Sequence, residues 1–217
     1  AMREFRLWYK RGPSVMVASL VTAMGCLAHA APVQQVHRLE AGPTTVAFGY
    51  YWSEAKPVLH IASGDIIDVD TMLTSSPNRL EAMGLPPEQV QQSLREIYDQ
   101  VAAEDRGPGG HILTGPVYVE GAEPGDVLQV DVLEIDLPIP YGYNGCSGFA
   151  RENCPEDRTD RSRLFWLDVD NMTADFAPGI VIPLKPFFGS MGVAPPADAG
   201  RWSSVPPWIH AGNIDNQ

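Results

Sequence analysis

Apolar and polar positions alternate with a period of two along much of the chain, and glycine or proline interrupts the runs every few residues. In Asp65-Ile66-Ile67-Asp68-Val69-Asp70-Thr71, Ile67 and Val69 share the face predicted to meet a core, with Asp68 and Asp70 on the other. Val117 and Val119 share one face of a second strand, and Tyr118 and Glu120 the other. Glu123-Pro124-Gly125-Asp126 follows, with proline second and glycine third as a type II turn requires. Val127 to Leu137 is the clearest strand. Leu128, Val130 and Val132 set one phase, and Leu133, Ile135 and Leu137 the opposite one, which predicts a bulge or a change of buried side.

One segment keeps a helical period instead. Pro86-Pro87-Glu88 suits a first turn, and Val90, Leu94, Ile97 and Val101 form a single apolar stripe. The helix is predicted over about 87–104, ending near Asp105 before Gly107-Pro108-Gly109-Gly110. There is no internal repeat. The pattern predicts a mainly β fold, an antiparallel β-sandwich or barrel-like architecture with this one substantial helix.

The chain has 217 residues, enough for one domain or a large part of one, and its 20 glycines and 20 prolines fit turns between strands. Its net charge of −12 repels phosphates, so nucleic acid is not an expected partner. Solubility accounts for most of these carboxylates, although an acidic surface also suits hard cations.

Residues 1–30 run against this balance. Arg3, Arg6, Lys10 and Arg11 precede a mostly apolar run from Val15 to Leu27, and Ala28-His29-Ala30 supplies small residues at a cleavage site. This predicts a signal peptide over 1–30, with 31–217 as the exported part, periplasmic or secreted, and no stable membrane association after cleavage. The alternative is an uncleaved anchor, for which the apolar run is short. Of the cysteines, Cys146 and Cys154 would remain. An oxidising compartment allows them to close a short disulfide loop; two free thiols are the alternative, and their spacing is long for a zinc pair.

Three segments carry a family resemblance. The first runs from His111 through Thr114-Gly115-Pro116 and Glu120-Gly121-Ala122 to Pro124-Gly125-Asp126. The second is Pro183-Leu184-Lys185-Pro186-Phe187-Phe188-Gly189-Ser190-Met191-Gly192-Val193-Ala194-Pro195. The third is Pro206-Pro207-Trp208-Ile209-His210-Ala211-Gly212-Asn213-Ile214-Asp215, with Ala211 where glycine is more usual and Ile214 for methionine. In this order they resemble the acetamidase/formamidase family. The resemblance implies a β-rich hydrolase that turns small linear amides into carboxylate and ammonia, with a divalent metal, zinc or calcium. It also implies that the chain is the N-terminal part of the family's domain, cut before a later acidic, histidine-containing motif, so that its activity is an open question. A homo-oligomer rests on the resemblance alone. The reading from a different class is a non-catalytic exported β-domain that binds a small ligand or metal.

The chemistry asks for compatible groups. An amide is a poor electrophile, and a metal that polarises the carbonyl and acidifies a bound water is one solution. A neighbouring carboxylate would then move the proton. His111, His210 and Asp215 are the expected metal ligands. Glu120, Asn213 and Asp215 are the expected catalytic residues, with Asn213 also donating to the substrate oxygen. Lys185, Phe187 and Asn213 are the expected substrate contacts. Each has a plainer reading: a loop hydrogen bond for His111, a solvated turn acid for Glu120, an Asx-rich turn around Asn213, and core packing for the phenylalanines. Asp126 is expected to cap its own turn. A serine nucleophile at Ser203-Ser204 lacks the surrounding glycines and matching lysine, and neither cysteine sits in a nucleophile setting.

Overall fold

The computed structural model describes residues 4–10, 34–145 and 162–213; the first of these is described as backbone. Cys146, Cys154 and Asp215 lie outside the described residues, as does most of the segment read as a signal peptide. No helix among the described residues is long and apolar enough to cross a membrane.

The fold is mainly β, as the period-two pattern predicts. Its strands are β1 (Glu4–Lys10), β2 (Val36–Leu39), β3 (Val46–Phe48), β4 (Tyr50–Tyr51), β5 (Leu59–Ile61), β6 (Ile66–Val69), β7 (Ile112–Thr114) and β8 (Val117–Val119). They continue with β9 (Val127–Val132), β10 (Tyr141–Gly145), β11 (Ser162–Asp168), β12 (Thr173–Ala177), β13 (Ile180–Pro183), β14 (Ser190–Gly192), β15 (Trp202–Ser203) and β16 (Ala211–Asn213). One sheet has the order β2-β6-β1-β9, and a second is the meander β10-β11-β12-β13. The pairs β3-β7, β5-β8, β4-β15 and β14-β16 complete the ladders among the described residues. Most ladders are antiparallel; β2 with β6 and β5 with β8 are parallel.

β6 keeps the predicted core face, with Ile67 and Val69 buried, but Asp68 is buried as well. The Arg38 guanidinium makes this tolerable: Nη1 donates to Asp68 Oδ1 at 3.3 Å and Nη2 to Asp70 Oδ1 at 2.7 Å. Asp65 clasps the start of the same strand pair. It accepts from the backbone N–H groups of Gln35 and Ala62 and pairs with His37 Nε2 at 2.9 Å. Burial pushes its pKa up, and these hydrogen bonds outweigh that and hold it below the ordinary carboxylate value.

The predicted helix is present in three pieces. A 3-10 turn covers Pro87–Gln89, α2 covers Gln92–Gln100, and another 3-10 turn covers Ala103–Asp105. Val90 and Gln91 are extended, which breaks the single helix without breaking its stripe: Val90, Leu94 and Ile97 are all buried and Val101 packs beside them. A further helix, α1 (Pro77–Ala82), lies before it. Ser76 Oγ accepts from the Arg79 N–H and proline occupies the first turn, a start signal that is visible in the sequence. Leu80 of α1, Leu94 and Ile97 of α2, and Leu85 between them are buried against Phe48, Ile112 and Tyr141. A separate cluster of Leu39, Ile61, Ile67 and Val69 packs under β5, β6 and β8.

β9 stops at Val132 rather than continuing to Leu137. Leu133, the first residue of the opposite phase, is exposed, so the phase change coincides with the end of the ladder rather than with a bulge inside it. The turn before β9 is as expected. Gly125 has a φ of 100°, Asp126 N–H donates to the Glu123 carbonyl at 3.1 Å, and Asp126 Oδ2 accepts from the Glu123 N–H at 2.8 Å.

Candidate active site

The Gly-rich run before β7 exists because two backbones meet there. A Cβ on Gly109 would lie 2.6 Å from the Gly49 carbonyl oxygen and 2.7 Å from the Ser204 nitrogen. Gly109 N–H and Ser204 N–H both donate to that carbonyl, at 2.9 and 3.1 Å. This close approach carries His111 against Ser204. His111 Nδ1 lies 2.9 Å from the Ser204 carbonyl oxygen, and the His111 N–H donates to Ser204 Oγ at 3.2 Å. A carbonyl oxygen only accepts, so Nδ1 carries the hydrogen and Nε2 keeps its lone pair.

His111 lines a cavity of about 1280 Å³. β7 and β8 form one wall with Leu113, Thr114 and Tyr118, while Phe187, Met191 and Asn213 face it from the second and third sequence segments. Asn213 ends β16, paired in register with Ser190 of β14. Ser190 Oγ donates to Asn213 Oδ1 at 3.1 Å, which leaves the Asn213 amide N–H groups as the donor end of that side chain. His111, Phe187 and Asn213 are therefore brought to one cleft from three distant parts of the sequence.

The other expected residues sit elsewhere. His210 is buried at 1% exposure behind the β14-β16 pair. Its ring lies 4.7 Å from the Tyr51 ring and edge-on to Trp202 and Trp208, which stack on each other at 4.3 Å. Neither ring nitrogen of His210 has a hydrogen-bond partner among the described residues, and the same holds for Tyr51 Oη and Trp202 Nε1. Desolvation lowers the His210 pKa and pushes that of Tyr51 up to about 12, so both are held neutral. Glu120 is exposed. Its Oε1 pairs with His60 Nδ1 at 2.9 Å across the β5-β8 ladder, with the Tyr118 ring 5.0 Å from the His60 ring. Lys185 is exposed and is not part of the cleft wall.

Among the described residues no three His, Cys, Asp or Glu side chains come together as a metal would require. His111 and His210 are set in different surroundings, and Asp215 lies outside the described residues. The described residues thus do not assemble the ligand set expected for zinc or calcium. Sequence reasoning passed over Ser204 as an anchor and His60 as a partner. The first acts mainly through its backbone carbonyl, which has no sequence signature, with its Oγ accepting from the His111 N–H. The second sits between Leu59 and Ile61 as an ordinary outward position of a strand.

The family profile of acetamidases and formamidases matches residues 64–202, well over half of the chain, and the chain belongs to the acetamidase/formamidase family. It is 32% identical over 111 residues to an acetamidase of Mycolicibacterium smegmatis, covering 43% of this chain and 26% of that protein. It is 49% identical over 62 residues to a formamidase of Methylophilus methylotrophus, covering 26% of this chain and 15% of that protein. The crystal structure of an acetamidase from Yersinia enterocolitica aligns with a TM-score of 0.48 at 17% identity, over 86% of this chain and 54% of that one. The matched stretches span about a quarter or less of these two sequence relatives.

Proposed function

We propose that the chain carries part of the machinery of a hydrolase acting on the carbon–nitrogen bond of small linear amides, giving carboxylate and ammonia. Membership of the family supports the reaction class. The observation that carries the reading is the anchored His111: the Ser204 carbonyl orients its ring so that Nε2 has a free lone pair at the wall of the cleft. In that role Nε2 takes the proton of an attacking water and returns it to the departing nitrogen, a balanced transfer that leaves the imidazole neutral after turnover. The Asn213 amide N–H groups donate to the carbonyl oxygen as negative charge develops there. Phe187 and Met191 exclude water from the apolar side of the substrate.

Metal dependence is part of the same proposal. It rests on family membership, since His210 is buried among Tyr51, Trp202 and Trp208 and does not line the cleft, and Asp215 lies outside the described residues. Export rests on the basic, apolar and small-residue succession of residues 3–31, and self-association on family membership alone.

The test is ammonia release from formamide, acetamide and larger primary amides by the purified chain, before and after EDTA treatment and zinc readdition. Turnover lost with EDTA and regained with zinc supports a metal-dependent amidase. Turnover indifferent to EDTA supports the amidase and removes the metal. A well-folded chain with no turnover, alone or supplied with the rest of the family's domain, replaces the amidase by a binding domain.

A further inference from the structure

β9 is the longest strand of the family-matched region to lie beside the cleft, yet its only ladder partner among the described residues is β1, which lies far outside that region. β1 pairs antiparallel with β9 from Phe5↔Val132 to Lys10↔Val127, and with β6 from Glu4↔Asp68 to Arg6↔Ile66. Without it β6 becomes a sheet edge although Ile67, Asp68 and Val69 are buried, and β9 loses its ladder altogether. Buried backbone N–H and C=O groups require partners, so the buried β6 demands a strand on this edge, while β9, whose residues are exposed or half-buried, joins the sheet through that strand alone.

We propose that this space is a strand-binding slot whose ligand is the chain's own segment Glu4–Lys10. Three observations select that occupant. Its sequence alternates except at Trp8, with Phe5, Leu7 and Tyr9 in one phase and Glu4, Arg6, Trp8 and Lys10 in the other, close to the period of a strand. It is a basic strand on a chain of net charge −12. In register, Arg6 stands opposite Asp131 on the β9 side, an opposite-charge pairing of the kind that stabilises a ladder, whereas Glu4 stands opposite Asp68 on the β6 side, so the charge match is with β9. The slot also shapes the site. Ile67 and Val69 of β6 and Leu128 and Val130 of β9 all line the cleft that holds His111, so the inserted strand sets the spacing of that wall. The basic segment read from sequence as a leader's opening is thus also a structural element, and processing after Ala30 would empty the slot.

Hydrogen exchange tests this in the full chain and in a form lacking residues 1–30. In the full chain, amides of Val127–Val132 are expected to exchange at least about tenfold slower than in the shortened form, while Leu94–Ile97 stay protected in both. A synthetic peptide of residues 3–11 should restore protection of Val127–Val132 saturably, less well at high salt, and a shuffled peptide of the same composition should not. Equal protection of Val127–Val132 in both forms overturns the proposal, as does equal rescue by the shuffled peptide. If the shortened form loses protection at Leu94–Ile97 too, Leu7→Pro in the full chain decides. Proline removes a ladder N–H in the middle of the strand and should release β9 alone. Unchanged exchange in that variant overturns the slot.

Discussion

His111 Nδ1 sits 2.9 Å from the carbonyl oxygen of Ser204, across 93 positions of sequence, and that contact favours the tautomer with its hydrogen on Nδ1. The donor is at the back, the lone pair at the front. The side chain of Ser204 adds to the anchor: its Oγ accepts from the His111 N–H at 3.2 Å and lies 3.2 Å from Nδ1.

His111→Ala is therefore expected to lower kcat/KM for small amides by about 10²–10⁴-fold, the usual contribution of a positioned general base. Ser204→Ala keeps the carbonyl and should cost far less. Steady-state ammonia release measures both. A His111→Ala variant within threefold of the parent would remove His111 from the chemistry.

The same contact depends on Gly109. An added methyl group would run into the Ser204 nitrogen at 2.7 Å and the Gly49 carbonyl at 2.6 Å, both backbone atoms with no rotamer to give. Gly109→Ala is expected to destabilise the chain by about 1–3 kcal/mol and to reduce turnover in parallel. Urea unfolding compared with the parent reads the first, and unchanged midpoints would show that the two segments separate easily.

His210 predicts a pH dependence of stability. Its folded pKa is lowered by desolvation, so between that value and the ordinary 6.5 the unfolded chain binds more protons than the folded one. Stability from this group is complete above about pH 6.5 and falls as the pH drops below it. Unfolding midpoints between pH 5 and 8 should show this slope, and His210→Phe should flatten it. An unchanged slope in the variant would assign the acid sensitivity to other groups.

The His60–Glu120 pair is more than half exposed on both sides. Exposed ion pairs contribute little, so His60→Ala and Glu120→Gln are each expected to change stability by less than about 1 kcal/mol. Glu120 lies outside the cleft wall, and turnover of Glu120→Gln is expected to stay within a few-fold of the parent. A loss of 10²-fold or more would restore Glu120 as the proton-transfer group.

Much of the local structure was legible from the chain alone. The Pro124-Gly125 turn, the alternation of Val117 and Val119 against Tyr118 and Glu120, and the Val90-Leu94-Ile97 stripe all follow from short-range rules: allowed φ values, the two-residue pleat and the helical period. The interruption of the helix at Val90 and Gln91 did not. The same stripe is satisfied by one long helix or by a turn followed by a shorter one, and only the surface it packs against distinguishes them. The end of β9 at Val132 is similar, since a strand lasts as long as its partner does.

The sequence by itself determined the family to which the chain belongs and the periodicity of the elements that hold its three family-like segments. Tertiary structure decided which of those residues meet. His111, Phe187 and Asn213 reach one cleft, while Glu120 pairs with His60 and His210 lies among Tyr51, Trp202 and Trp208. Sequence order carries no record of this, because contacts between distant segments depend on ladder register and on backbone atoms every residue shares. The Ser204 carbonyl that orients His111 and the β6–β9 slot that takes Glu4–Lys10 are both of that kind.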